Sequence, residues 1–167
     1  MPIEPTIVTS NSDSLFPAFH NAIEHSPTIP SKTVVRKILV AELDGALRGL
    51  IADLFDFEGY FVTDVEDETA LFEAMQSVSK ATQSPFDLVV LGLQAEGGLD
   101  LNTLVRLRDS GCRTPAIVLA RERELPVDRR MLELDVAFLS KPFVLENLRI
   151  VANHALYTRQ NQLDQLD

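Results

Sequence analysis

The chain has 167 residues, 46% of them apolar and 24% charged, with a formal net charge of −10; this fits one globular domain with tails and a core that needs no disulfide or metal staple. The longest uncharged apolar run, Leu88 to Leu93, is far short of the roughly 20 residues a membrane span requires, and Met1-Pro2-Ile3-Glu4 has neither the basic start nor the apolar block of a secretory signal. Cys112 is the single cysteine, so no internal disulfide can form and a reducing, cytoplasmic setting is expected.

Residues 1 to about 34 are rich in Ser, Thr, Pro and Asn and predict a flexible extension. Within it Leu15, Phe16, Phe19 and Ile23 fall at helical spacing after candidate caps Ser12, Asp13 or Ser14. The extension reads as a self-docked or disordered tail, or as a recognition segment. From Val34 to Ala41 an aliphatic run predicts a strand buried on both faces. A helix follows with Leu47, Leu50, Ile51, Leu54 and Phe55 inward and Glu58-Gly59 near its end. Tyr60 to Val65 is a strand. Thr69 to Val78 is a helix with Ala70, Leu71, Ala74, Met75 and Val78 inward.

Pro85 introduces a strand over Phe86 to Leu91, and Leu99 to Arg108 forms the third helix. Pro115 to Leu119 is the fourth strand, Val127 to Leu134 a short fourth helix, and Val136 to Leu139 the fifth strand. Pro142 precedes a last helix over Leu145 to Tyr157, with Leu145, Leu148, Ala152, Ala155 and Leu156 on one face. The domain is expected over 35–157, with a C-terminal tail or helix extension over 158–167. Strands alternating with helices imply a doubly wound five-stranded parallel sheet joined by right-handed crossovers, with helices on both faces. In such folds the working site lies at the carboxyl ends of the strands.

Charge is unevenly spread. From Asp53 to Glu73 there are eight acids and no base, and from Arg106 to Arg130 seven arginines against four acids. These read as two solvated surfaces or as charge-steered docking patches.

Four loops at the strand ends carry motifs. Lys37-Ile38-Leu39-Val40-Ala41-Glu42-Leu43-Asp44 is similar to an opening strand with an acidic pair, and Asp87-Leu88-Val89-Val90-Leu91-Gly92-Leu93 to a strand that ends in an acceptor aspartate. Pro115-Ala116-Ile117-Val118-Leu119-Ala120 is similar to a strand ending in Thr or Ser, and Phe138-Leu139-Ser140-Lys141-Pro142-Phe143 to a lysine–proline signature. In this order and spacing, over about Arg36 to Leu156, they resemble the receiver domain of bacterial response regulators, the chemotaxis-regulator-like family. The resemblance implies a flavodoxin-like fold with strand order 2-1-3-4-5. It further implies aspartyl phosphorylation assisted by Mg²⁺ on acidic ligands, a lysine that meets a phosphate oxygen, and a hydroxyl that transmits the change.

Tested residue by residue, most of those roles are unfilled. Gly92 stands at the acceptor position and cannot form an acyl phosphate. The nearest acid after it, Glu96, projects from a different backbone position. The acidic pair reads Glu42-Leu43, and Leu43 cannot ligate a metal. Asp44 is expected to cap the first helix, and Ala120 has no hydroxyl. Lys141 and the aromatic Phe138 are retained. Lys141 therefore has no aspartate to meet on the third strand, although Glu42 can pair with it across the mouth. The resemblance also implies a cis Lys141-Pro142 bond.

Other chemistries find no support. Gly92 to Gly97 has phosphate-loop spacing, but Gly98 and Leu99 stand where Lys and Ser/Thr are needed. His20, His25 and His154 show no triad or metal spacing. Cys112 beside Arg113 reads as an inert loop cysteine or a mildly activated thiol. About ten residues follow the last predicted helix, too few for an appended DNA-binding domain, and the acidity argues against nucleic acid.

The expectation is a stand-alone pseudo-receiver: not an enzyme, without cofactor or metal, binding neither nucleic acid nor membrane. It would meet another signalling protein, or a second copy, through the face of helix four, strand five and helix five. Candidate residues there are Arg121, Arg123, Arg129, Arg130, Phe138 and Arg149, since arginine pairs with carboxylates through a two-pronged fork. The acidic side around the first two helices would offer a second surface of opposite sign. Two alternatives stay open: an adaptor regulated by Ser/Thr modification of its N-terminal tail, near Ser12, Ser14 or Ser26, and a conventional Asp-phosphorylated regulator.

Overall fold

Lys37–Ala41 (β1), Leu88–Gly92 (β3) and Ala116–Ala120 (β4) are aliphatic runs in which nearly every position is buried. Strands without a polar face have none to show to water, so they fill the middle of a sheet covered on both sides. Phe61–Val65 (β2) and Val136–Ser140 (β5) are only partly buried and take the edges. The sheet runs β2-β1-β3-β4-β5 with every neighbouring pair parallel, the order the resemblance implies. The computed structural model describes residues 34–76, 84–94, 98–124 and 133–165; contacts divide the chain between Val34 and Val35, and all these strands lie in the second unit.

Side chains alternate across the sheet, and each face builds its own core. Leu39, Ala41, Val89, Leu91, Val118 and Ala120 pack with Leu71 of α2 (Glu68–Gln76) and with Leu104 and Leu107 of α3 (Leu101–Asp109). Ile38, Val40, Leu88, Val90, Ile117 and Leu119 pack on the other side with Ile51 and Phe55 of α1 (Gly45–Phe57), and with Leu148, Ala152 and Leu156 of α4 (Leu145–Asp164).

α1 begins and ends for local reasons. The Asp44 carboxylate accepts from the backbone N–H groups of Ala46 and Leu47, satisfying two donors that the first turn leaves open. At the other end Gly59 takes φ +88°, a left-handed conformation that costs a residue with a Cβ about 1–2 kcal/mol. Its N–H returns to Asp56 and that of Tyr60 to Phe55. The Tyr60 ring then meets Phe55 edge-on, centroids 6.0 Å apart, closing the apolar contact that accompanies such a cap. One inward assignment fails: Leu50 is 54% exposed. The buried stripe centres on Ile51 and Phe55, flanked by Leu47 and Leu54, and position 50 turns about 100° away from position 51.

α4 runs past Tyr157 to Asp164, seven residues beyond the predicted end. Long-range polar contacts hold it: Arg36 donates to the Leu156 carbonyl at 3.0 Å, Arg159 to the Phe86 carbonyl at 2.8 Å, and the Tyr60 hydroxyl to Asn153 at 3.1 Å. The predicted helix over 127–134 and the apolar residues of the first 33 positions lie outside the described residues, as do Val78 and Glu96.

Candidate functional site

The chain winds in opposite directions from β1 and from β3, which opens a crevice at their carboxyl ends. Ala41 pairs with Leu91 in register, so Glu42 and Gly92, the next residues on each strand, stand side by side. Two strands away, Lys141 follows β5, its backbone N–H bonded to the Ala120 carbonyl at 2.8 Å. The Lys141–Pro142 peptide is cis, as the resemblance implied.

Glu42 fills the space that Gly92 leaves. A Cβ on Gly92 would stand 1.8 Å from Glu42 Oε2 and 2.6 Å from its Cδ. The glutamate is fully buried, and both of its oxygens are engaged. Oε2 accepts from Lys141 Nζ at 2.7 Å. Oε1 accepts from the Asp44 backbone N–H at 3.0 Å and from the Gln94 side-chain amide at 2.9 Å. A buried charge is tolerable only when paired and hydrogen-bonded in this way.

The pairing of Glu42 with Lys141 is thus present, with Glu42 fully buried. A carboxylate still meets the lysine; it comes from β1 instead of β3. Two helpers carry no one-dimensional signal. Gln94 sits in a loop without periodicity, and Arg48 of α1 donates to the Glu42 carbonyl at 2.8 Å, holding down the turn that delivers the acid.

The remaining positions do less. Leu43 is half-exposed, Ala120 is buried in the core, and Asp44 caps α1 as expected. Above the pair lies a cavity of about 440 Å³ lined by Asp44, Leu47, Arg121, Lys141, Pro142 and Phe143. The donor set does not fit Mg²⁺, which wants several hard oxygen ligands in octahedral array. Glu42 is spent on three internal donors, Leu43 offers none, and among the described residues no three His, Cys, Asp or Glu side chains come together as a metal set.

The structure describes four of the six residues singled out as a partner surface. Arg121 and Arg123 are exposed, whereas Phe138 packs partly into the core, paired in register with Val118. Arg149 is engaged by Glu146 on its own helix; this hydrogen bond holds the Glu146 carboxyl below the usual glutamate range and pushes the Arg149 guanidinium further up. Arg129 and Arg130 lie outside the described residues. On the acidic side, Arg48 bridges Asp64 at 3.1 Å and Glu66 at 3.9 Å, and Arg106 pairs with Glu68 while lying over the Phe72 ring. Arg108 is structural: it donates to the carbonyls of Leu134, Cys112 and Thr114, and burial lowers its pKa.

A five-stranded parallel sheet in this order, with a lysine–cis-proline turn beside a buried acid, defines a response regulator receiver domain of the two-component signalling kind. No family model matches the chain. It is 30% identical over 115 residues to the transcriptional regulatory protein CiaR of Streptococcus pneumoniae, covering 68% of this chain and 48% of that protein, so the chain spans about half the length of the curated relative it matches. Among solved structures it resembles a CheY-like response regulator receiver domain protein from Methanospirillum hungatei JF-1, with TM-score 0.64, 15% identity, and 77% and 98% of the two chains covered. It also resembles the receiver domain of NtrX from Brucella abortus, with TM-score 0.61, 22% identity, and 72% and 98% covered. Among the described residues no helix is long and apolar enough to cross a membrane.

Proposed function

We propose that this receiver is a pseudo-receiver: it acts without phosphorylation, as a module that binds another signalling protein or a second copy of itself, in the cytoplasm. The observation that carries the reading is the Glu42 carboxylate, seated against Gly92 and bonded to Lys141. An acceptor side chain has neither an anchor on β3 nor room beside it, and the lysine that would receive a phosphoryl oxygen already has a carboxylate. The chain then catalyses no phosphotransfer, needs no cofactor, and binds neither nucleic acid nor membrane. Recognition falls to the side of β5 and α4, with the exposed Arg121 and Arg123 as contacts; Arg129 and Arg130, which the sequence assigns to the same surface, lie outside the described residues.

The test is exposure of the full chain to acetyl phosphate and Mg²⁺, beside a conventional receiver, read by intact mass. No phosphoryl adduct is expected, and an acyl phosphate on any carboxylate of the pocket overturns the reading. For the face, Arg129→Glu/Arg130→Glu should lower partner recovery or self-association. Equal recovery at low and high salt removes it from the proposal.

A further inference from the structure

The cavity of about 440 Å³ at the carboxyl ends of the sheet is built from segments far apart in the chain. Asp44 and Leu47 reach it from the start of α1, Arg121 from the residue after β4, and Lys141, Pro142 and Phe143 from the turn after β5. Its volume falls within the roughly 300–1,000 Å³ of small-molecule sites, and open parallel sheets take their ligands at this end. Leu47 and Phe143 line the cavity while packing on the core of Ile51, Phe55 and Leu148, so its apolar wall is held in place from behind.

The charges beside that wall carry both signs. Glu42 takes one donor of the Lys141 ammonium at 2.7 Å, which leaves that group two more. Arg121 is exposed, and its guanidinium presents five N–H donors in a fork that fits a carboxylate. Asp44 stands opposite in sign. Its Oδ1 caps α1 by accepting from Ala46 and Leu47, and among the described residues no donor is bonded to its Oδ2. With Lys141 offset by Glu42, the cavity adds one cation and one anion of its own. A simple anion sets like charge against Asp44, a simple cation does the same against Arg121, and an apolar molecule leaves both groups to be desolvated without a partner. A zwitterion answers both.

We infer that this cavity is a binding site for a free apolar α-amino acid. The ligand's carboxylate meets Arg121 and Lys141, its ammonium meets the open oxygen of Asp44, and its side chain lies against Leu47, Pro142 and Phe143. The site goes beyond the pseudo-receiver reading and does not depend on it, since neither Gly92 nor the missing acceptor enters the argument.

The test titrates the isotope-labelled full chain with L-leucine, L-phenylalanine, isocaproate (leucine without its ammonium), isoamylamine (leucine without its carboxylate) and inorganic phosphate. Leucine or phenylalanine should shift the amides of residues 44–48, 121 and 141–144. The two truncated analogues and phosphate should bind at least ~10-fold more weakly, because each leaves a charged group of the site unanswered. Asp44→Asn keeps the cap acceptor of α1, and Arg121→Gln changes an exposed position, so both should melt near wild type. Each should weaken the amino acid at least ~10-fold. Isocaproate or phosphate binding as tightly as leucine shows an anion site only and overturns the inference. So do silence toward both amino acids at millimolar concentration, shifts centred elsewhere, or unchanged affinity in the two variants. An acyl phosphate on the chain would overturn the pseudo-receiver reading and leave this titration as it is, so the two fail separately.

Discussion

Glu42 and Gly92 share a single side-chain position: the Oε2 atom of the glutamate lies 1.8 Å from where a Cβ on the glycine would begin. The two residues end neighbouring parallel strands, so an acid on one and a bare backbone on the other are complementary choices. Lys141 meets the Glu42 carboxylate, which ties the ends of β1 and β5 together.

That complementarity makes the two positions non-additive. Gly92→Ala must displace the Glu42 carboxylate from three donors and is expected to cost about 2–3 kcal/mol in urea unfolding. In a Glu42→Ala background, where the space is open, the same change should cost less than about 1 kcal/mol. Equal costs in both backgrounds would show that the two groups do not compete.

Removing the cation strands a buried charge. Lys141→Met leaves Glu42, which is fully buried, with only its Oε1 donors. The expected loss is about 3 kcal/mol, a fall in melting temperature of roughly 6–12 °C. The double variant Glu42→Gln/Lys141→Met should recover part of it, because no charge is then left in the interior.

The ends of α1 give two independent losses. Gly59→Ala forces a Cβ into φ +88° and should cost about 1–2 kcal/mol. Asp44→Ala removes the side-chain cap from two N–H groups and should cost about 1 kcal/mol. The sites sit at opposite ends of a 13-residue helix, so calorimetry of the double variant should return the sum.

The Glu146–Arg149 pair sets a small acid-side dependence. Glu146 titrates lower folded than unfolded because Arg149 bonds its charged form. Its contribution is therefore present above the unfolded pKa and fades as pH falls through the lowered one. An NMR titration should place the Glu146 carboxyl below the ordinary glutamate range and return it there in Arg149→Ala, with little change in stability at neutral pH because the pair is exposed.

Much of this molecule is written locally. Unbroken aliphatic runs at β1, β3 and β4 announce a sheet covered on both faces, since burial on both sides needs no knowledge of what does the covering. The caps at Asp44 and Gly59 follow from the nearest few residues. The absence of an acceptor at Gly92, of a ligand at Leu43 and of a hydroxyl at Ala120 is a matter of side-chain chemistry, readable position by position. What sequence did not decide is where side chains distant along the chain converge. Only the strand order, with β1 beside β3, brings Glu42 against Gly92 and Gln94, and only the reach of Lys141 from β5 completes the cluster. Leu50 turns outward because the packed interior fixes the rotation of α1, which a periodic pattern gives to within one residue. Arg36 and Arg159 likewise extend α4 through bonds to distant carbonyls. Local propensity and patterning act over a few residues, whereas register and side-chain competition for one volume arise only when the sheet has closed.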